Sequence, residues 1–134
     1  MDDTERSRAP LAPHPADESC LVSVDGEPGM SGFCPLFHGA VELIGRRWTG
    51  AIVRALLAGS TRFTDIASTV PGLSDRLLSE RLRELEQEGL VVRTVYPDVP
   101  VRVEYTLTEK GRALRPALEA LSTWADEWMG VREA

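Results

Sequence analysis

Between Phe63 and Leu107 the apolar period changes once, and that change limits the folds open to this chain. Phe63, Ile66, Ala67 and Val70 recur at helical spacing and stop at Pro71-Gly72. Ser74 is placed to cap a second helical stretch, Asp75 to Glu88, which buries Leu77, Leu78, Leu82 and Leu85 and is closed by Gly89. The pattern then becomes β-branched and aromatic, in LVVRTVYP and VRVEYTL, joined by Pro97-Asp98-Val99-Pro100. Two helices across a tight turn, followed at once by an antiparallel hairpin, predict a winged helix-turn-helix. In that arrangement the second helix enters the major groove of DNA, and the hairpin flanks the backbone or the minor groove.

The flanking segments complete an α+β, mostly α, architecture. Leu36, Phe37, Ala40, Val41 and Ile44 predict a helix with Pro35 at its first position and Gly45 at its end. Trp48, Ala51, Ile52, Ala55 and Leu56 predict another, closed by Gly59. After the hairpin, Thr108 opens one long terminal helix. Its Leu114, Leu118, Leu121, Ala125 and Trp128 follow the 4-3-4-3 spacing of a seam for a partner helix, with Trp124 beside them. These residues predict a dimerisation helix.

Of the chain's 134 residues, 1–33 stand apart: they carry seven acids against Arg6 and Arg8, four prolines and no apolar period. They read as an acidic, disordered tail ahead of a domain over 34–134. With no apolar core segment, the tail is not a secretory signal, and no run of about 18 apolar residues marks a membrane span. Cys20 and Cys34 are too few for a disulfide scaffold, so the expected compartment is the reducing cytoplasm. The net charge of −6 argues at first against nucleic acid. Its distribution answers this, because the tail holds −5, whereas residues 45–112 have eleven basic groups against nine acids.

On the predicted recognition helix, Arg76, Ser79, Glu80 and Arg83 lie opposite the leucines at 100° per residue. Arginine can bond a guanine edge bidentately, serine a phosphate or base, and glutamate a cytosine amine or a neighbouring arginine. Ser74 stands at the start of this face. Arg81, at the border of the apolar stripe, fits an intramolecular ion pair. Arg102 follows the hairpin tip, where a wing meets the phosphate backbone or minor groove, and a solvated strand arginine is the alternative. Arg46, Arg47 and Arg62 stand at helix starts and are placed for phosphate contact. A solvated amphipathic helix of mixed charge is the plainer reading of the same face.

Cys34 precedes Pro35 at a predicted helix N-terminus, where unpaired N–H groups and the helix dipole lower a thiol pKa. A thiolate there reacts with oxidants and electrophiles, whereas a small buried helix cap is the alternative. Cys20 is a candidate resolving thiol, within or between chains, or an incidental exposed one. Cys20, Cys34, His14 and His38 match no zinc spacing, so no metal is expected. No phosphate loop, Ser-His-Asp set or paired-carboxylate cleft is visible, and two histidines leave little for acid–base catalysis. Neither an enzyme nor a cofactor is expected. Phe37, Trp48 and Trp124 could line an apolar effector pocket, with core packing as the alternative. A protein-interaction module that has lost DNA is the rival from another class.

From Cys34 to Trp128 the chain resembles the HxlR-type winged-helix transcriptional regulators. The resemblance rests on Cys34-Pro35, Gly45 with Arg47-Trp48-Thr49, Arg62-Phe63, Leu73-Ser74, Arg81-Leu82 with Glu84-Leu85, Gly89-Leu90-Val91 with Arg93, Tyr96-Pro97, and Val103-Glu104-Tyr105 with Leu107-Thr108 and Gly111. It implies a homodimer, joined through the first and last helices, on a palindromic operator. Several members sense oxidants or electrophiles through the cysteine at the position of Cys34. Val101 departs from the pattern, standing where a second proline is common. A two-fold dimer would set half-sites about 34–36 Å apart. The function expected is that of a repressor released by a redox, electrophile or small-molecule signal.

Overall fold

The computed structural model describes residues 20–24 and 27–130. The acidic stretch 1–19, expected to be disordered, lies outside them, as does His14. Two compact units divide at Gly50.

In the first unit, β1 (Leu21–Val24) pairs antiparallel with β2 (Glu27–Met30), from Leu21↔Met30 to Val24↔Glu27. This hairpin lies inside the segment expected to lack regular structure. The signal passed over is Asp25-Gly26 between the two runs, a dipeptide that favours two-residue hairpin loops. The Ser31 N–H and Oγ–H both donate to the Cys20 carbonyl, at 3.2 and 3.3 Å, and extend the pairing by one step. Helix α1 (Pro35–Ile44) follows, with Pro35 in its first turn and Cys34 as its cap. No residue of α1 is buried, and Phe37 and Val41 are among its exposed apolar side chains. Trp48 has φ +79°, a left-handed conformation unusual for a bulky side chain, at the turn into the next helix.

In the second unit, α2 (Thr49–Leu57, beginning just before the division) runs to a turn with Gly59 at φ +114°. Helix α3 (Phe63–Thr69) and helix α4 (Asp75–Gln87) are joined by a turn in which Gly72 takes φ +86°. Ser74 caps α4 as expected: its Oγ accepts the Leu77 N–H at 3.2 Å. Leu78, Leu82 and Leu85 of α4 pack with Ile52, Val53, Ile66 and Leu90 in the core, all essentially inaccessible to solvent. Each such side chain contributes about 1.5–3 kcal/mol by leaving water. Strands β3 (Val91–Tyr96) and β4 (Arg102–Leu107) then pair along their whole length, from Val91↔Leu107 to Tyr96↔Arg102.

A cluster of hydrogen bonds locks the base of this hairpin. Thr108 donates from Oγ1 to the Gly89 carbonyl at 2.6 Å and from its backbone N–H to Leu90 at 2.9 Å. Its Oγ1 also accepts the Gly111 N–H at 3.2 Å, capping the short helix α5 (Glu109–Arg112). Lys110 Nζ donates to the Glu88 carbonyl at 2.7 Å. Gly111 is buried so tightly that a Cβ there would collide with the Leu90 carbonyl and the Leu107 side chain.

One expectation is corrected here. The terminal segment is not one long helix from Thr108, because α5 stops and α6 (Arg115–Trp128) begins after it, with Pro116 in its first turn. Proline has no N–H and its ring clashes with the carbonyl four residues back, here Arg112. Arg115 ties α6 to α2 by donating to the Leu57 carbonyl at 2.9 Å. No residue of α6 is buried. Among the described residues no helix is long and apolar enough to cross a membrane.

Candidate nucleic-acid interface

Helix α4 is anchored by its leucines and its cap, and these fix which side chains face outward. Arg76, Ser79 and Arg83 are exposed, and Glu80 is half-buried between them. The four share the face opposite Leu78, Leu82 and Leu85, as the 100° rotation requires. Arg76 and Glu80 approach to 4.0 Å with the arginine side chain 84% exposed, a surface pair that holds the guanidinium weakly. Arg81 differs: it is largely buried and bonds Glu84 at 3.2 Å, with Glu80 at 3.7 Å, the intramolecular pairing its border position implied. The Ser74 hydroxyl accepts from Leu77 and keeps its own proton to donate.

The wing places its arginine in another setting. Arg102 Nε donates to Asp98 at 3.1 Å and its NH1 to Glu104 at 2.6 Å. The guanidinium lies 4.0 Å from the Tyr96 ring centroid. The hydrogen bond it donates to Asp98, and then the one it donates to Glu104, raise its proton affinity above the ordinary value against the opposing effect of burial. Arg102 is thus engaged on two edges and one face. What the wing tip presents instead is apolar: Val99 is fully exposed, Val101 is also exposed, and the Val99–Pro100 peptide is cis. The clamp was not anticipated, although acids four residues before and two residues after a strand arginine are its signature.

Arg62 stands exposed just before α3, with extended backbone. Arg47 is exposed beside Trp48, its guanidinium 5.2 Å from the ring centroid. The proposed dimerisation residues form an apolar strip along α6: Leu121 is 57% exposed, Trp124 52% and Trp128 68%, with Leu114 and Leu118 half-buried. Of the proposed pocket residues, Phe37 and Trp124 are exposed and Trp48 is half-buried. Two clefts in the second unit are lined by other residues, among them Arg54, Ser122 and Met129 in one, and Leu57, Tyr105 and Arg115 in the other.

At the start of α1 the Cys34 Sγ accepts the Phe37 N–H at 3.4 Å. Cys34 is buried and forms a disulfide with Cys20, their Cα atoms 5.2 Å apart.

Helix-turn-helix, exposed polar recognition face and two-stranded wing define a winged helix-turn-helix protein. The family model described as HxlR-like helix-turn-helix matches residues 43–133. The chain belongs to this family of helix-turn-helix transcriptional regulators. It is 54% identical over 99 residues to the uncharacterized regulator YvaP of Bacillus subtilis, covering 74% of this chain and 92% of that protein. YodB of Bacillus subtilis has been solved reduced, diamide-treated and quinone-bound. Its reduced form matches with a TM-score of 0.65 at 46% identity, covering 72% of this chain and 94% of that one. The redox regulator HypR in its oxidized form matches with a TM-score of 0.65 at 36% identity, covering 75% and 100%.

Proposed function

We propose that this protein is a cytoplasmic homodimeric repressor that reads a palindromic operator through α4 and is released from it by oxidants or electrophiles acting at Cys34. The observation that carries the DNA reading is the α4 face. Arg76, Ser79 and Arg83 are exposed there, on a helix whose opposite side is fixed in the core. In this reading Arg76, Ser79, Glu80 and Arg83 meet base edges and phosphates. Ser74, Arg62 and Arg47 meet the backbone. Arg102 shapes the wing through Asp98 and Glu104. The strip of Leu121, Trp124 and Trp128 supports dimerisation, because apolar surface of this size on a terminal helix gains most by pairing. Sensing through Cys34, with Cys20 as its partner thiol, is supported by the sulfur's place at a helix N-terminus.

A gel shift with the DNA upstream of this protein's own gene tests the reading. The expected result is a specific complex that hypochlorite or a quinone dissociates, and that persists under the same treatment in Cys34→Ser. Absence of any specific complex would favour the protein-interaction module. Equal release of wild type and Cys34→Ser would remove Cys34 as the sensor.

A further inference from the structure

The N-terminal hairpin gives the two cysteines a relation that neither position shows alone. β1 and β2 pair from Val24↔Glu27 to Leu21↔Met30, and the two hydrogen bonds from Ser31 to the Cys20 carbonyl carry the pairing one residue further. Cys20 is thereby held opposite Ser31, three residues before Cys34. The Cα separation of 5.2 Å falls inside the range a disulfide spans. Backbone pairing that does not involve sulfur therefore delivers one thiol to the other. Cys34 in turn caps α1, its sulfur accepting the Phe37 N–H at the helix N-terminus.

From this arrangement we infer that β1–β2 is a resolving arm. Oxidation of Cys34 by a hydroperoxide is completed within one chain by Cys20, and the product is an intrachain Cys20–Cys34 disulfide rather than a link between protomers. The inference rests on the reading of Cys34 as the reactive thiol and specifies how its oxidation ends. The Cys34 thiolate attacks the distal peroxide oxygen. The O–O bond breaks, a hydroxide or alkoxide leaves and takes up a proton, and Cys34 becomes a sulfenic acid. The Cys20 thiolate then attacks the Cys34 sulfur, forming the S–S bond and expelling hydroxide, which leaves as water after protonation. Two thiols have supplied two electrons, and the peroxide is reduced to water or to water and an alcohol. Because resolution is intramolecular, it outpaces further oxidation of Cys34 and does not depend on protein concentration. An alkylating quinone, by contrast, would occupy Cys34 without using Cys20.

The test uses the full-length reduced protein with stoichiometric hydrogen peroxide, followed by alkylation of remaining thiols. No Lys or Arg lies between Cys20 and Cys34, so cyanogen bromide cleavage after Met30 is needed to separate the two half-peptides. The expected product runs as a monomer on a non-reducing gel and has lost two hydrogens. Its half-peptides stay joined until dithiothreitol is added. In Cys20→Ser, excess peroxide is expected to carry Cys34 through two successive two-electron oxidations to sulfinic acid, which dithiothreitol does not restore, whereas wild type under the same excess stops at the disulfide. A cross-linked dimer of wild type, or sulfinic acid at Cys34 in wild type at the same rate as in Cys20→Ser, would overturn the resolving arm. These readouts need no DNA. An intrachain disulfide that leaves operator binding unchanged would defeat the sensor reading while the arm stands. Release of DNA with an interchain link would do the reverse.

Discussion

The recognition helix and the wing both carry arginine outward, and they use it differently. On α4, Arg76 meets Glu80 at 4.0 Å with most of its side chain in water, and Arg83 is exposed two turns further along the helix. On the wing, Arg102 is held by Asp98 and Glu104 and covered by Tyr96. A guanidinium without a close carboxylate gains fully from a phosphate or a guanine. One already neutralised by two carboxylates must give them up first, so its contact with DNA adds little. Residue type alone therefore does not assign a DNA contact, because the carboxylates within reach decide it.

The largest effect that would break this contrast is on α4. Arg76→Ala with Arg83→Ala is expected to weaken specific operator binding by a hundredfold or more, each base-contacting arginine being worth about 1–3 kcal/mol. Competition with random-sequence DNA should show the specificity ratio collapsing. Next is the base of the wing. Gly111→Ala is expected to destabilise the fold by about 1–3 kcal/mol through its collision with the Leu90 carbonyl and Leu107, read as a lower urea midpoint. Ser74→Ala removes the acceptor for the Leu77 N–H and should cost about 1 kcal/mol of stability, again by urea unfolding. The smallest effect belongs to Arg102→Ala, a few-fold loss of affinity from a loosened wing tip.

Much of this was legible because the signals were local. The cap at Ser74, the leucine stripe of α4, the glycine stops at Gly59 and Gly89 and the alternation of β3 and β4 each depend on a few neighbouring residues. The break before α6 was equally local, in Pro116, but the seam spacing of the leucines masked it. The β1–β2 hairpin escaped because prolines and acids dominate the composition around it, whereas only Asp25-Gly26 and short flanking runs encode it. The Arg102 clamp lay beyond a reading by residue type. It needs the strand register that sets Tyr96 opposite Arg102 and a tip that folds Asp98 back onto it. The Cys20–Cys34 pairing likewise follows from the hairpin and not from the cysteine spacing alone.

The most direct measurement is the salt dependence of binding to the upstream DNA for wild type, the Arg76→Ala/Arg83→Ala variant and Arg102→Ala, measured side by side. The account predicts parallel slopes for wild type and Arg102→Ala, since Arg102 releases no counterions from DNA. It predicts a double variant that binds operator and random DNA alike. Each phosphate contact contributes about 0.9 to the slope. A slope reduced by that amount in Arg102→Ala, together with undiminished operator preference in the double variant, would contradict the account.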